Sequence, residues 1–134
     1  MRRLLLLSAA AALFTAAPSA ASPTVRMAIV HYFRGCHVWS KSESVIGPSA
    51  TIRVARGTRL TIRISCPMDF DVSQAAGPTL ALGDRRMYAG TTKTLVFRKP
   101  GSYKLVARNV QSSEEMGLQT LGEDNTLALT VRVK

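Results

Sequence analysis

The sequence predicts an all-β sandwich of one domain, on three observations. The chain has 134 residues, a length typical of a single domain. Short runs that alternate between apolar and polar residues, the period of a half-buried strand, recur from residue 25 onward. Glycine and proline turns separate these runs, and no stretch sustains the 3.6-residue period of an amphipathic helix. Six or more short strands of this kind imply an antiparallel or mixed sandwich.

The segment before the first strand, residues 1–21, is predicted to be a secretory signal peptide. Arg2 and Arg3 provide a basic start, residues 4–17 form an apolar run, and a cleavage site of mostly small residues follows near Ala21. The run of 14 residues is too short to span a bilayer comfortably. We therefore expect a secreted domain of residues 22–134, either periplasmic or extracellular, with a net charge of about +8.

The first three predicted strands follow from alternation. Residues 25–31 carry their larger apolar side chains and His31 at odd positions. Residues 51–54 and 60–65, on either side of a turn at Gly57, carry apolar side chains at even positions. Each run is therefore expected to bury one face and expose the other.

The last three predicted strands cover residues 95–97, 103–108 and 127–133. The first runs into a turn at Lys99-Pro100-Gly101, where proline fixes φ and glycine permits an unusual backbone conformation. The other two carry apolar side chains at odd positions. Residues 75–90 and 110–123 follow neither period and are predicted to be connections, the first containing a short strand or turn at Leu80–Leu82.

Three of these segments together carry a family resemblance. Residues 54–62, VARGTRLTI, are similar to a strand pair of the cupredoxins, the plastocyanin and azurin class. Residues 99–105, KPGSYKL, resemble the hairpin that precedes the copper loop of that family, and residues 126–133 resemble its closing strand. The resemblance covers about residues 50–134, and it implies a Greek-key β-sandwich of cupredoxin type for the domain at 22–134.

The resemblance also implies where a copper ion would be bound. The type 1 site of the family uses two His, one Cys and a weak axial Met. The positions that match the first His and the Cys hold Phe70 and Ala107, and no His follows His37. Only Met116 falls where an axial Met is expected. The resemblance therefore implies the fold without a standard blue-copper centre.

Residues with affinity for soft metals occur elsewhere in the chain. Two His and one Cys lie within seven residues, and a second Cys and a Met follow near residue 67. The candidate ligands are His31, Cys36, His37, Cys66 and Met68. Such a set suits Cu(I), provided that the chain turns at Arg34-Gly35 to bring the first three together. A copper-handling protein is therefore an alternative function.

The two cysteines allow a second interpretation. Cys36 and Cys66 are the only cysteines, and an exported protein meets an oxidising environment. A disulfide between them would close a loop of about 30 residues and stabilise the fold by about 3–4 kcal/mol. This is the simpler interpretation, and with it no cofactor is expected. Cysteines joined in a disulfide cannot bind copper as thiolates, so the two interpretations exclude each other.

The positive charge suggests a third function. The net charge is +10 and the isoelectric point is about 10.6. Arg53, Arg59 and Arg63 occupy solvent-facing positions of their predicted strands, so a basic face could bind a polyanion such as an anionic envelope polymer. An envelope protein is a further candidate partner. Nucleic acid is not expected, because no aromatic residues are interleaved with the basic ones.

Enzymatic activity is not predicted. The chain contains no Gly-x-Ser-x-Gly elbow, phosphate loop or His-Glu-x-x-His motif. Asp69 and Asp71 would share one face of a strand, but no His lies near them in sequence. Cys36 and His37 are adjacent and cannot easily present a thiolate and its base to each other. The predicted function is that of an exported, non-enzymatic binding or accessory protein of the cell envelope.

Overall fold

The computed structural model describes residues 17, 20–32, 37–110 and 126–134, and these residues form ten β-strands. The strands are β1 (Thr24–His31), β2 (His37–Lys41), β3 (Ser44–Gly47), β4 (Ser49–Val54), β5 (Arg59–Ser65), β6 (Phe70–Ala76), β7 (Arg86–Met87), β8 (Thr92–Val96), β9 (Gly101–Asn109) and β10 (Thr126–Val133). Within these ranges, the structure contains no helix long and apolar enough to cross a membrane.

The strands form two five-stranded sheets. The first sheet has the order β3-β2-β1-β5-β8 and the second the order β4-β10-β9-β6-β7. Both sheets are mixed, because β1 is parallel to β5 and β4 is parallel to β10, whereas the other pairs are antiparallel. The chain crosses from one sheet to the other after β3, β4, β5, β7 and β8. The predicted Greek-key, all-β sandwich is therefore confirmed.

The core lies between the two sheets and is built from the alternating apolar positions. Leu60, Ile62 and Ile64 of β5 are 0% exposed, whereas Arg59 and Arg63 of the same strand point outward. Burial of one such aliphatic side chain contributes about 1.5–3 kcal/mol. The largest fully buried side chains are Trp39, Tyr103, Phe70, Phe97, Ile29, Leu60, Ile62, Ile64, Leu95, Leu105, Leu127 and Leu129.

All six predicted strands are present, but the structure adds four others. β2 was missed because His37–Ser40 are all buried, so this strand shows no alternation. No strand forms at Leu80–Leu82; these leucines are partly buried against the core, and the short strand of this region is Arg86–Met87 instead. Of the predicted connection at 110–123, all but the first residue lies outside the described residues.

The connection between β6 and β7 is fixed by one side chain and one glycine. Gln74 Nε2 donates hydrogen bonds to the carbonyls of Ala76 at 3.1 Å and Pro78 at 2.7 Å, and its Oε1 accepts one from the Leu80 N–H at 3.0 Å. Gly77 has a φ of +103° and lies directly against the backbone of Tyr103 in β9. This connection therefore has a defined path without regular secondary structure.

Candidate histidine and thiol site

Two histidines face each other at one end of the sandwich. His31 is the last residue of β1 and His37 the first of β2, and they are direct partners in the antiparallel ladder. Their ring centroids lie 5.0 Å apart, with an angle of 57° between the ring planes. The chain therefore reverses direction between them, as a shared site requires. We call this end of the molecule the histidine end.

Cys66 and Met68 lie at the histidine end as well. β5 runs parallel to β1, and Ser65 at its end is the partner of Val30, so Cys66 follows at the level of His31. Cys66 is 6% exposed and Met68 is 9% exposed, and both belong to the core cluster. The register therefore brings a thiol and a thioether to the level of the histidine pair.

Burial controls the chemistry of the Cys66 thiol. Removal from water disfavours the thiolate and raises the pKa of Cys66 above its ordinary value of 9.0. A hydrogen bond with the Met68 backbone lowers this pKa, and the negative charge of Asp69 raises it. The thiol is therefore protonated at neutral pH, whereas the thiolate is the form that binds metals. A metal ion at Cys66 would have to displace this proton.

At this end, a polar contact ties the β5–β6 connection to β9, and an aromatic contact joins the two sheets. Asn109 Nδ2 donates a hydrogen bond to Met68 Sδ at 2.9 Å, and Asn109 is the strand partner of Phe70. Phe70 is 0% exposed, and its ring lies edge-on to His37 with centroids 5.3 Å apart. His37 itself is 3% exposed, whereas its partner His31 is open to solvent. One imidazole therefore belongs to the core and the other to the surface.

The five predicted metal ligands are brought together only in part. Among the described residues, no group of three His, Cys, Asp or Glu side chains is placed to hold a metal ion. His31 and His37 form a close pair, and Cys66 and Met68 lie at the same end of the sandwich. Cys36 lies outside the described residues, so the complete set stays a prediction.

The predicted disulfide is not seen in the structure. Cys66 is a free, buried cysteine. Its predicted partner, Cys36, lies outside the described residues, and the pairing of the two stays a prediction.

A type 1 copper centre does not fit the positions that the family resemblance assigns to it. Phe70 and Ala107, which stand where a His and a Cys are expected, are each 0% exposed and carry only hydrocarbon side chains. Neither side chain can coordinate a metal ion. Met116 lies outside the described residues.

The three arginines predicted to form a basic face are exposed but do not share one face. Arg53 lies on β4 of the second sheet, whereas Arg59 and Arg63 lie on β5 of the first. The outward surfaces of the two sheets of a sandwich point in opposite directions. The structure therefore corrects this set, because solvent-facing parity on two strands does not require that the strands belong to the same sheet.

The two aspartates that flank Phe70 make structural contacts. Asp69 Oδ1 accepts a hydrogen bond from the Ala89 N–H at 3.0 Å, which ties the β7–β8 connection to the start of β6. Asp71 forms an ion pair with Arg85, with 2.9 Å between Oδ2 and Nη2. These contacts explain both carboxylates without a role in acid–base chemistry.

Known proteins resemble this chain in structure only, and at low sequence identity. No family model and no curated protein matches the chain. Among solved structures, a purple cupredoxin from Nitrosopumilus maritimus is 15% identical with a TM-score of 0.46, and the match covers 79% of this chain and 97% of that one. A mutant amicyanin in its reduced state is 14% identical with a TM-score of 0.45, covering 87% and 85%. Both likenesses have a TM-score below 0.5, so they amount to similarity only.

Another similar structure belongs to a different functional class. A cysteine protease inhibitor from Entamoeba histolytica is 14% identical with a TM-score of 0.43, and the match covers 63% of this chain and 85% of that one. At this TM-score the likeness carries no argument about this chain. The function has to be argued from the residues of the chain itself.

Asn109 is the residue at the histidine end that sequence reasoning missed. The alternation of Tyr103, Leu105 and Ala107 along β9 continues to Asn109, which places this side chain on the inner face. The prediction stopped at residue 108 because the next inward residue was polar. Continuing the period by one step would have found it.

Proposed function

We propose that this chain is an exported, non-enzymatic binding protein of the cell envelope that uses a cupredoxin-like sandwich without a type 1 copper centre. Export is supported by the basic and apolar pattern of residues 1–21 and by the first strand, which begins at Thr24 just beyond the expected cleavage site. The absence of a type 1 copper centre is proposed because Phe70 and Ala107, both buried, occupy two of the expected ligand positions.

A second candidate function, copper handling, is favoured by the histidine pair. A metal–imidazole bond is about 2.0–2.1 Å long. Rings whose centroids are 5.0 Å apart can therefore both bind one ion at a bent angle, provided that each presents a nitrogen to the space between them. A bent pair leaves room for a further ligand, and the sulfur atoms of Cys66 and Met68 at the same end are of the type that Cu(I) prefers.

Copper content and free thiols, measured on one sample of the exported protein from a copper-supplemented culture, discriminate the two candidates. The proposed function predicts much less than one copper ion per chain. Nearly one copper ion per chain together with a free thiol would overturn it in favour of copper handling.

Paired variants then locate any copper that is bound. Copper handling at the histidine end predicts that the His31→Ala/His37→Ala double variant loses at least about tenfold in Cu(I) affinity. Tyr32→Ala is the matched control, because Tyr32 is 53% exposed beside His31 and offers no soft ligand. Equal Cu(I) affinity of the double variant and the wild type would exclude this site.

A further inference from the structure

The end of the sandwich opposite the histidine end carries a group of exposed cations. Two connections, 55–58 and 97–100, meet there with the last residues of β4 and β10 and the first residues of β5 and β9. The cations are Arg53, Arg56, Arg59, Arg98, Lys99, Lys104, Arg132 and Lys134, and all eight are exposed. We call this region the basic end.

Strand register places Arg53 and Arg132 side by side. Arg53 of β4 is the direct partner of Arg132 in the parallel ladder with β10. The Arg56 N–H donates a hydrogen bond to the carbonyl of Lys134 at 3.0 Å, and the Lys134 N–H donates one to Val54 at 3.1 Å. The 55–58 connection is therefore held against the end of β10, and Arg56 lies near the other two arginines.

Backbone hydrogen bonds also join the two connections. The Gly57 N–H donates to the carbonyl of Phe97 at 2.6 Å, and the Phe97 N–H donates to Thr58 at 3.2 Å. Arg98 and Lys99 follow directly, so their cations lie beside the 55–58 connection. The basic end therefore rests on strand ends and on connections fixed by hydrogen bonds.

Within the described part of the chain, no acidic side chain forms an ion pair with the cations of this region. Asp69 and Asp71 lie at the histidine end, and Asp84 bonds to the backbone of Arg86. Glu43 follows Lys41, the strand partner of Met27, and therefore lies toward the basic end, on the β2–β3 turn of the first sheet. There it lines a groove with Arg26.

Concentrated positive charge destabilises the folded chain. Like charges placed directly opposite each other on neighbouring strands repel, and Arg53 and Arg132 are placed in this way. A bound anion would relieve this repulsion. Cations lie on three adjacent strands of one sheet, β4, β10 and β9, and on two connections, so they are spread over more than one small anion would contact.

We propose that the basic end binds a linear anionic polysaccharide. Neighbouring strands lie about 4.8 Å apart, so the cations of β4, β10 and β9 can contact repeated charges along one polymer. The aromatic residues of this region, Phe97 and Tyr103, are 0% and 1% exposed, so they offer no surface on which nucleobases could stack. The choice of an envelope polymer over a nucleic acid also rests on the proposed export.

Binding of a heparin oligosaccharide to the purified protein tests this proposal. Affinity is expected to fall steeply between 50 and 200 mM salt, about as steeply as counterion release from several contacts requires. The variant Arg53→Gln/Arg56→Gln/Arg132→Gln is expected to lose at least about tenfold in affinity and to show a smaller salt slope. Thermal unfolding verifies that the variant is folded.

The matched control is Arg63→Gln/Arg86→Gln/Arg108→Gln, which removes the same net charge from exposed positions outside the basic end. Retention of wild-type affinity by this control supports a localised site. Equal losses in both triple variants would show attraction by net charge alone and would overturn the proposal. Tighter binding of a single-stranded polynucleotide of equal charge would also overturn it. Copper content reports on the proposed function separately.

Discussion

The fold controls the protonation of the Cys66 thiol. The folded chain holds the pKa of this thiol above 9.0, chiefly because the side chain is buried. Above that pH, the unfolded chain releases the thiol proton while the folded chain retains it. The contribution of Cys66 to the free energy of unfolding is therefore fully present below pH 9 and is lost as the pH rises toward the folded pKa.

This linkage gives a prediction for a single substitution. Under reducing conditions, the free energy of unfolding of the wild type should fall more steeply above pH 9 than that of Cys66→Ala, because only the wild type carries the perturbed thiol. Urea unfolding at several pH values measures both slopes. Comparison with the variant removes the contributions of Cys36, Tyr and Lys. Identical slopes would mean that Cys66 is not shielded from water.

At the histidine end, the sequence predicted the residue types but not all of their contacts. The residue types were visible, and the need for a reversal between His31 and His37 followed from strand parity. That His37 packs against Phe70 was not predictable, because the contact joins two strands from different sheets. Contacts between sheets depend on the packing of layers, which no local pattern specifies.

Among the elements, the β6–β7 connection offers the sharpest test of backbone packing. A Cβ atom on Gly77 would lie 2.8 Å from the Tyr103 Cα and closer still to the Ser102 carbonyl oxygen. Gly77→Ala should therefore destabilise the protein by more than the about 1 kcal/mol that a positive φ alone costs.

Gly90→Ala is the matched control for this prediction. Gly90 also has a positive φ, at +79°, but a Cβ atom there would meet nothing within 4 Å. The difference in unfolding free energy between the two variants isolates the steric contribution, and chemical denaturation measures it. Equal destabilisation would contradict the close approach of Gly77 to β9.

Strands were predictable in proportion to how one-sided their burial is. β5 and β10 bury one face and expose or half-bury the other, and both were predicted nearly to their ends. β2 is buried on both faces, and β7 has only two residues, so neither shows a period of two. Alternation in the sequence arises only when one face of a strand is buried and the other is exposed, so it cannot reveal a strand whose two faces are equally buried.

At the scale of the whole molecule, the sandwich separates two chemistries. The histidine end holds the two imidazoles and the Cys66 thiol, and the basic end holds eight exposed cations. The sequence predicted both kinds of residue, but it could not show that Arg53 and Arg63 belong to different sheets. The assignment of strands to sheets determines which arginines are neighbours: Arg53 is the strand partner of Arg132, whereas Arg63 lies in the other sheet.

The central claim is that the β-sandwich does not build a type 1 copper centre, since two of the positions that the family resemblance assigns to its ligands cannot coordinate a metal ion. Addition of one equivalent of Cu(II) to the purified, reduced protein, followed by its visible absorption spectrum, tests this claim directly. Because Phe70 and Ala107 occupy two ligand positions, we predict no intense thiolate-to-copper charge-transfer band. An intense band of this kind at one equivalent would contradict the claim and would show that Cys36 or Cys66 completes a blue-copper centre with the histidine pair.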